Sequence, residues 1–482
     1  MEQVENWIFG VNGGGGLLGE GGLERTVNSL VWGVPAMVLI LGVGLVVSAL
    51  CGFPQVTRMG DILRAILGKT RGRREKRAGA VSPFKAMCTA LAASIGTGNI
   101  AGVSGAIAIG GPGAVFWMWV SALVGMGTKY CEVVLAVRYR QRNDQGDWVG
   151  GPMYYIQNGL GWRRLARVFA LFGSIAAFGI GNMTQVNTVA GAINEAVACF
   201  VDTTARQRVL IALVVGVACA VVLLVVLIGG IQRLGDVCAL LVPVMAVVYV
   251  AAALAVIARN IDAVPEALYA IFAGAFSPQA VAGGAVGATV RTVITKGVGR
   301  GIFSNEAGMG SAPIAHAAAD VEDPVEQGFY GVFEVFMDTI VLCTVTALVI
   351  LVGLGTDGVP YGVDTGAALA IAAFQSVFAG ALPVVIVAVC LTFFALPTML
   401  TWGLYGTRCF EFLFGSGVRR IYQFVFAMFV VVGATIRLEL AWNIAETLNG
   451  LMALPNLVAI LALSPVAAQL TKRHFQRPRL RQ

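Results

Sequence analysis

The sequence predicts an all-α polytopic membrane protein of 11 transmembrane helices, with one extra N-terminal helix followed by a 5+5 inverted repeat containing two broken helices. Three observations carry this. Of 482 residues, 57% are hydrophobic and 12% charged, whereas soluble domains carry about 25% charged residues. Apolar runs long enough to span a bilayer, which takes ~20 residues, recur along the whole chain. Two of these runs, 83–110 and 286–319, are interrupted at their centres by polar and helix-breaking residues.

Taken in order, residues 1–82 form an N-terminal segment holding the first helix and a basic cytoplasmic loop. Met1 to Glu24 is Gly-rich and mildly acidic and lacks the basic n-region of a cleaved signal peptide. The first run, 29–51, therefore reads as a retained helix. Runs at 83–110, 113–137, 165–198, 207–228 and 236–258 make a first five-helix repeat, 83–258. An extracellular connection, 259–285, leads to the second repeat, 286–470, with runs at 286–319, 328–353, 383–413, 421–436 and 442–470. Within it, Thr365–Phe378 is apolar but short, as in a re-entrant or interfacial helix. Residues 471–482 form a basic cytoplasmic tail.

Lys and Arg distribution sets the orientation. With the N-terminus outside and the C-terminus inside, cytoplasmic regions carry 24 Lys and Arg and outside regions 5. The run Arg71-Gly72-Arg73-Arg74-Glu75-Lys76-Arg77 is the strongest marker; Asp320–Gln327, an inside region with no Lys or Arg, fits least well. Five spans per half give the halves opposite orientation, the arrangement of inverted-repeat transporters. Gly308-Met309-Gly310-Ser311 faintly echoes Gly96-Thr97-Gly98-Asn99. Because the positive charge is segregated into loops, the net +7 does not point to nucleic acid. Nine scattered cysteines without CxxC spacing indicate neither a disulfide framework nor a zinc site, and no cofactor motif is present.

The first interruption, Ala93-Ser94-Ile95-Gly96-Thr97-Gly98-Asn99-Ile100-Ala101-Gly102, carries the most chemistry. A helix broken there frees N–H and C=O groups that need partners, and in transporters such groups bind substrate and ions. The bland alternative is close packing of small residues, which the face Gly102/Ala106/Gly110 fits better than the Gly96–Asn99 cluster does. N–H groups at a half-helix N-terminus suit a carboxylate. Carbonyls, with the oxygens of Thr97 and Asn99, suit a hard cation such as Na+. Ser94 is placed to donate to substrate or to ligate the ion.

The second interruption, Phe303-Ser304-Asn305-Glu306-Ala307-Gly308-Met309-Gly310-Ser311-Ala312-Pro313, contains Glu306, costly in a membrane and so a functional candidate. Three roles fit it: holding a substrate ammonium, holding a cation, or locking the unwound turn. Ser311 and His316 raise an intramembrane hydrolase, but a spacing of five suits one helical face poorly, and no GxSxG or HExxH accompanies them. Asn182 and Gln185 stand at i,i+3 in 165–198, and Thr398 and Trp402 at i,i+4 beside Pro397, with Thr392 and Thr401 nearby. A proline frees a carbonyl one turn back, which with hydroxyls makes a plausible sodium site. Glu334 and Asp338, Lys129 and Glu132, and Lys296 and Arg300 are candidate ion-path or gate groups, with Lys129–Glu132 and Lys296/Arg300–Glu334/Asp338 as expected pairings.

Ser94-Ile95-Gly96-Thr97-Gly98-Asn99-Ile100-Ala101-Gly102, Gly150-Gly151-Pro152-Met153-Tyr154-Tyr155 and Gly299-Arg300-Gly301-Ile302-Phe303-Ser304-Asn305-Glu306-Ala307-Gly308 together resemble the alanine/glycine:cation symporter family, over about residues 30 to 465. The resemblance implies the leucine-transporter (LeuT) inverted-repeat fold with an extra first helix. It implies uptake of alanine or glycine driven by Na+, in some members H+. By resemblance, Thr97, Gly98, Gln185, Thr398 and Trp402 match substrate-pocket positions. In the wider fold, main-chain oxygens near Ala92 and Ile95 and the hydroxyl of Thr398 match a sodium site.

The sequence therefore yields the expectation of a Na+-coupled symporter of small neutral amino acids in a bacterial-type plasma membrane. An H+-coupled symporter is the alternative, and a channel or hydrolase the rival classes. Its substrate-binding candidates are Ser94, Thr97, Gly98, Asn99, Gln185, Asn305, Glu306, Thr398 and Trp402, with Ala92, Ile95 and Thr398 for Na+. Expected partners are a small amino acid, Na+ and the bilayer, with no nucleic acid and no obligate protein. A cysteine placed at Gly72 is expected to react only from the cytoplasmic side; labelling by an impermeant reagent in intact cells would overturn the orientation.

Overall fold

The computed structural model describes residues 33–68, 79–277, 289–363, 366–436 and 438–476, with backbone only at 67 and 438–446. The Gly-rich N-terminus, the basic run Arg71–Arg77, residues 278–288 and the last six residues lie outside the described residues.

Apart from one two-stranded hairpin, the described chain is built of helices. In chain order these are α1 (Val34–Leu50), α2 (Met59–Leu67), α3 (Pro83–Ser94), α4 (Ala101–Gly110), α5 (Gly113–Arg138), α6 (Pro152–Leu160) and α7 (Arg163–Ala198). There follow α8 (Ala205–Ile228), α9 (Gly230–Arg259), α10 (Val264–Phe276), α11 (Val290–Asn305) and α12 (Ala312–His316). The chain closes with α13 (Pro324–Leu354), α14 (Ala368–Gln375), α15 (Leu382–Phe414), α16 (Arg419–Thr435) and α17 (Leu438–Gln476).

Among the described residues, eight helices are long and apolar enough to cross a membrane, and nine if the pair made by α3 and α4 counts as one bent span. The sequence expectation of 11 includes two segments that differ for clear reasons. Helix α1 has only 17 described residues. The run 286–319 divides into α11, which carries Arg291, Lys296 and Arg300, and a five-residue α12.

Helix α5 is the hub. Its apolar window is 83% buried, packed on by α1, α10, α11, α12, α13 and α17. At the periphery, α9 is 28% buried, and Leu240, Val244, Val247 and Leu254 face outward, as a lipid-facing helix requires. Helices α5 and α11 approach closely because Gly297 and Gly301 share one face. An added Cβ would lie 2.3 Å from the Ala114 carbonyl oxygen at the first and 2.1 Å from Ser121 Oγ at the second. Small residues one turn apart give helices in a membrane their van der Waals contact.

The hairpin, β1 (Gln141–Arg142) and β2 (Trp148–Val149), pairs Gln141 with Val149 and Arg142 with Trp148 in the loop after α5. Arg140 reaches across and donates to the carbonyls of Ala317, Ala319 and Val321, at 3.0 Å for Ala317 and 2.8 Å for Val321. A positive charge from the loop after α5 thus lies against the backbone of residues 317–321. Arg408 ties the same loop to the end of α15, through Asp147 at 3.0 Å and Glu411 at 2.7 Å.

Replacing Gly297 by Val is expected to push α11 off α5 and to cost ~1–3 kcal/mol, the usual range for overpacking. The check is the thermal unfolding midpoint in detergent, and an unchanged midpoint would refute the close approach.

Candidate functional site

Both interruptions are true breaks, and the structure brings them together at the centre. Helix α3 stops at Ser94. Gly96 is extended, Thr97–Asn99 form a single 3-10 turn, and α4 departs at 61°. Helix α11 stops at Asn305, followed by Glu306 in the left-handed region at φ 55°, unusual for a residue with a Cβ. Two π-turns, Gly179–Met183 in α7 and Phe336–Cys343 in α13, lie within the spans that supply the breaks with partners. Thr97 and Asn99 are fully buried, and Thr398 and Trp402 almost so.

The first break is gripped from three sides. Asn99 Oδ1 accepts the Gly96 N–H at 3.0 Å, and its Nδ2 donates to Asp338 Oδ1 at 2.7 Å. Gln185 Oε1 faces the Thr97 N–H at 3.4 Å, while Gln185 Nε2 donates to the Ile180 carbonyl in the π-turn at 3.1 Å. On the third side, Thr398 Oγ1 lies 2.8 Å from the Ala92 carbonyl, 3.2 Å from that of Ile95 and 2.9 Å from that of Phe394 in its own helix. A hydroxyl has one proton and serves one acceptor at a time. The arrangement therefore gathers more oxygen lone pairs than protons, all neutral and all away from water, which is what a hard cation selects. Gly96 favours this approach, since a Cβ there would press on Thr398 Oγ1 at 3.0 Å.

The Thr97 hydroxyl is buried without any partner, which is costly unless a ligand supplies one. Gly98 beside it leaves room, because the nearest atom to an added Cβ is Phe303 Cδ1 at 3.9 Å.

The second break is tied down by side chains. Glu306 accepts the Ser311 hydroxyl at 2.5 Å and the Trp402 indole N–H at 3.0 Å. The backbone acceptor expected of Glu306 is instead Glu132, whose Oε1 takes the Gly310 N–H at 3.1 Å. Asn456 donates to Glu132 at 2.6 Å and to the Gly308 carbonyl at 2.8 Å, and is itself held by Tyr155. Trp402 packs against Gly181, where a Cβ would fall 2.0 Å from the Trp402 Cβ.

Several side chains are engaged differently from their sequence expectation. Lys129 does not take Glu132, its helical neighbour; it donates to Glu334 Oε1 on α13 at 3.0 Å, both fully buried. Glu334 also receives Ser94 Oγ at 3.0 Å and His316 Nε2 at 2.9 Å. The Ser94 hydroxyl is thus engaged one layer behind the break, and Asn305 likewise turns to Thr339 at 3.2 Å. Ser311 and His316 belong to separate networks, so no nucleophile–base pair forms. Asn182 and Gln185 do not share a target: the π-turn shifts their phase, and Asn182 donates to the Phe426 carbonyl on α16 at 2.7 Å. Sequence reasoning did not anticipate the nest around Asp338, where Ser304 and Thr339 each donate to Oδ2 at 2.8 Å. An acidic residue in a span was the available signal.

Two substitutions test this asymmetry. Asn99→Ala orphans the Gly96 N–H and a hydrogen-bond site on Asp338, at ~1–3 kcal/mol per buried group. Thr97→Val removes a hydroxyl that has no partner and is expected to leave the unliganded unfolding midpoint nearly unchanged. Equal losses in the two variants would mean that the Thr97 hydroxyl is bonded after all.

Comparison with known proteins agrees with the geometry. A solved structure titled MhsT in complex with L-phenylalanine matches with a TM-score of 0.59, over 83% of this chain and 99% of that one, at 12% identity, a likeness of fold. A transporter of Haemophilus influenzae without assigned function is 45% identical over 94% of this chain and 95% of its own length. The sodium/alanine symporter AgcS of Methanococcus maripaludis is 44% identical over 93% of this chain and 96% of its own. The family model for the sodium:alanine symporters matches residues 22–481, and the chain belongs to that family.

Proposed function

We propose that this chain takes up alanine or glycine together with Na+ by alternating access, in a bacterial-type plasma membrane, with the N-terminus outside and the C-terminus in the cytoplasm. The single observation that carries the reading is the convergence of the Ala92, Ile95 and Phe394 carbonyls on the one Thr398 hydroxyl. Na+ binds there and bridges α3 to α15. The substrate carboxylate meets the N–H groups near Thr97–Asn99, and Thr97 Oγ1 supplies the donor that otherwise lacks a partner. Gly98, Gln185, Glu306 and Trp402 bound a space that admits a hydrogen or methyl side chain. Ser94 and Asn305 hold the walls from behind.

The same reading completes the spans. The nine apolar spans, with the bent pair counted as one, become eleven when α1 and the pair α11/α12 are added. They fall as one leading helix, residues 83–258 and residues 286–470, two five-span halves of opposite orientation. Each Na+ moving inward releases ~2.3 kcal/mol per 100 mV, enough for one ion to support a substantial gradient.

Thr398→Val keeps the shape and removes the oxygen. The half-saturating Na+ concentration for alanine uptake in liposomes is expected to rise at least ~10-fold, the equivalent of ~1.4 kcal/mol. If the hydroxyl instead serves the amino acid, Na+ binding measured without substrate will be unaltered, and Thr398 leaves the cation site.

A further inference from the structure

We propose that His316 is a proton-binding site whose occupancy opposes Na+ binding, an inference that rests on the Na+ reading of the Thr398 site. His316 is fully buried, and nothing proposed above uses it. Its two ring nitrogens have different partners. Gln327 Nε2 lies 2.7 Å from Nδ1. An amide nitrogen can only donate, so Nδ1 offers its lone pair, and the single imidazole proton sits on Nε2 and is donated to Glu334 Oε2 at 2.9 Å. The imidazole is therefore neutral in this arrangement.

The same amide has an unused acceptor: Gln327 Oε1 is buried without a partner. Turning the amide by half a revolution exchanges Nε2 for Oε1, and Oε1 then accepts a proton carried on Nδ1. The turn gives up a weak 3.4 Å contact from Nε2 to the Pro83 carbonyl. It moves Nε2 to the place that now offers Oε1 no partner, so one polar atom of the amide is unpartnered in either orientation, and it leaves an imidazolium against the Glu334 carboxylate. The pocket thus has a ready arrangement for each protonation state.

The groups around His316 fix the sign of its effect. Helix α5 presents Lys129, with Glu132 behind it, and α13 presents Glu334. Helix α3 presents Ser94 and the Pro83 carbonyl, its Lys85 being paired with Asp236 on α9. Helix α15 carries Tyr405 and Cys409 along with Arg408 and Glu411, which pair with each other; Arg140 caps the Ala317 carbonyl next door. Glu306 lies within electrostatic reach of Lys129. Glu334 already holds one cation, Lys129, and its Oε1 also receives Ser94, the residue just before the Ile95 carbonyl. A second positive charge on Glu334 adds repulsion towards a cation at Ala92, Ile95 and Thr398, and draws on the carboxylate that holds Ser94. Protonation and Na+ binding therefore oppose each other, and linkage makes the opposition mutual.

The experiment measures Na+ binding to the purified full chain in detergent, without amino acid, from about pH 5.5 to pH 8, the range of an imidazole. Half-saturating Na+ is expected to fall by about 5-fold or more as pH rises, the low end of ordinary coupling. Protons are expected to leave the protein when Na+ is added near the midpoint. His316→Gln keeps a donor for Glu334 and cannot titrate; it should bind Na+ with little pH dependence and release no protons. Gln327→Met keeps the histidine but removes the acceptor, and should move the midpoint to lower pH. It serves as the test on its own if His316→Gln does not fold. Na+ binding whose pH dependence survives in His316→Gln, or whose midpoint is unmoved in Gln327→Met, overturns the inference and leaves the symport reading standing. Absence of Na+ binding at every pH overturns both.

Discussion

In hydrocarbon, every backbone group released by a broken helix must find a partner inside the protein, and this chain breaks two helices side by side. The two breaks meet that requirement in opposite ways. The second is closed by side chains: Glu132 takes the Gly310 N–H, Asn456 serves the Gly308 carbonyl, and Glu306 takes Ser311 and Trp402. The first has acceptors in excess around Thr398 and a hydroxyl, Thr97, with no acceptor at all. A break with surplus acceptors on one side and a spare donor on the other is matched to a cation and a carboxylate together. The second break is scaffold by comparison, although Glu132 Oε2 remains unpartnered in it.

Among the described residues, the interior carries Glu132, Glu306, Glu334 and Asp338 around the buried Lys129, while the buried Arg408 and Glu411 pair with each other away from them. Desolvating such groups costs several kcal/mol per ion, so their presence is weak evidence for stability and strong evidence for a geometry worth holding. Lys129 joins α5 to α13, and Glu334 passes the connection to α3 through Ser94. Removing the lysine would leave a buried carboxylate unpaired beside the first break, and that would cost more than the pair contributes.

Much of this was legible in the sequence. The apolar runs mark the helices to within a few residues, and both interruptions fall where glycines and polar residues cluster. The Thr398 hydroxyl lies within hydrogen-bond distance of the Ala92 and Ile95 carbonyls, three residues grouped only through the family resemblance. What the sequence hid was of one kind. Helical spacing describes neighbours on a surface, whereas in a buried bundle the partner is chosen across helices. So Lys129 passes over Glu132 for Glu334, 205 residues away. Asn182 and Gln185, three residues apart, serve different neighbours because a π-turn breaks the 3.6-residue phase, and the local sequence gives no sign of that turn. The positive charge facing Asp320–Gln327 was invisible for a similar reason, since Arg140 belongs to a loop that only tertiary folding brings there.

Helix α15 joins the two breaks mechanically. Thr398 touches the first break and Trp402, one turn further on, touches the second. Just before them Pro397 removes one intrahelical hydrogen bond, which leaves that turn easier to bend than its neighbours. The one helical turn from Thr398 to Trp402 links the two contacts. A displacement that draws Thr398 towards the Ala92 and Ile95 carbonyls also moves the Trp402 indole relative to Glu306 and Gly181. Gly181 leaves the indole no slack, because its missing side chain is the space that Trp402 occupies. A shift at the first break is thereby transmitted to the second over a single helical turn, without a longer chain of contacts.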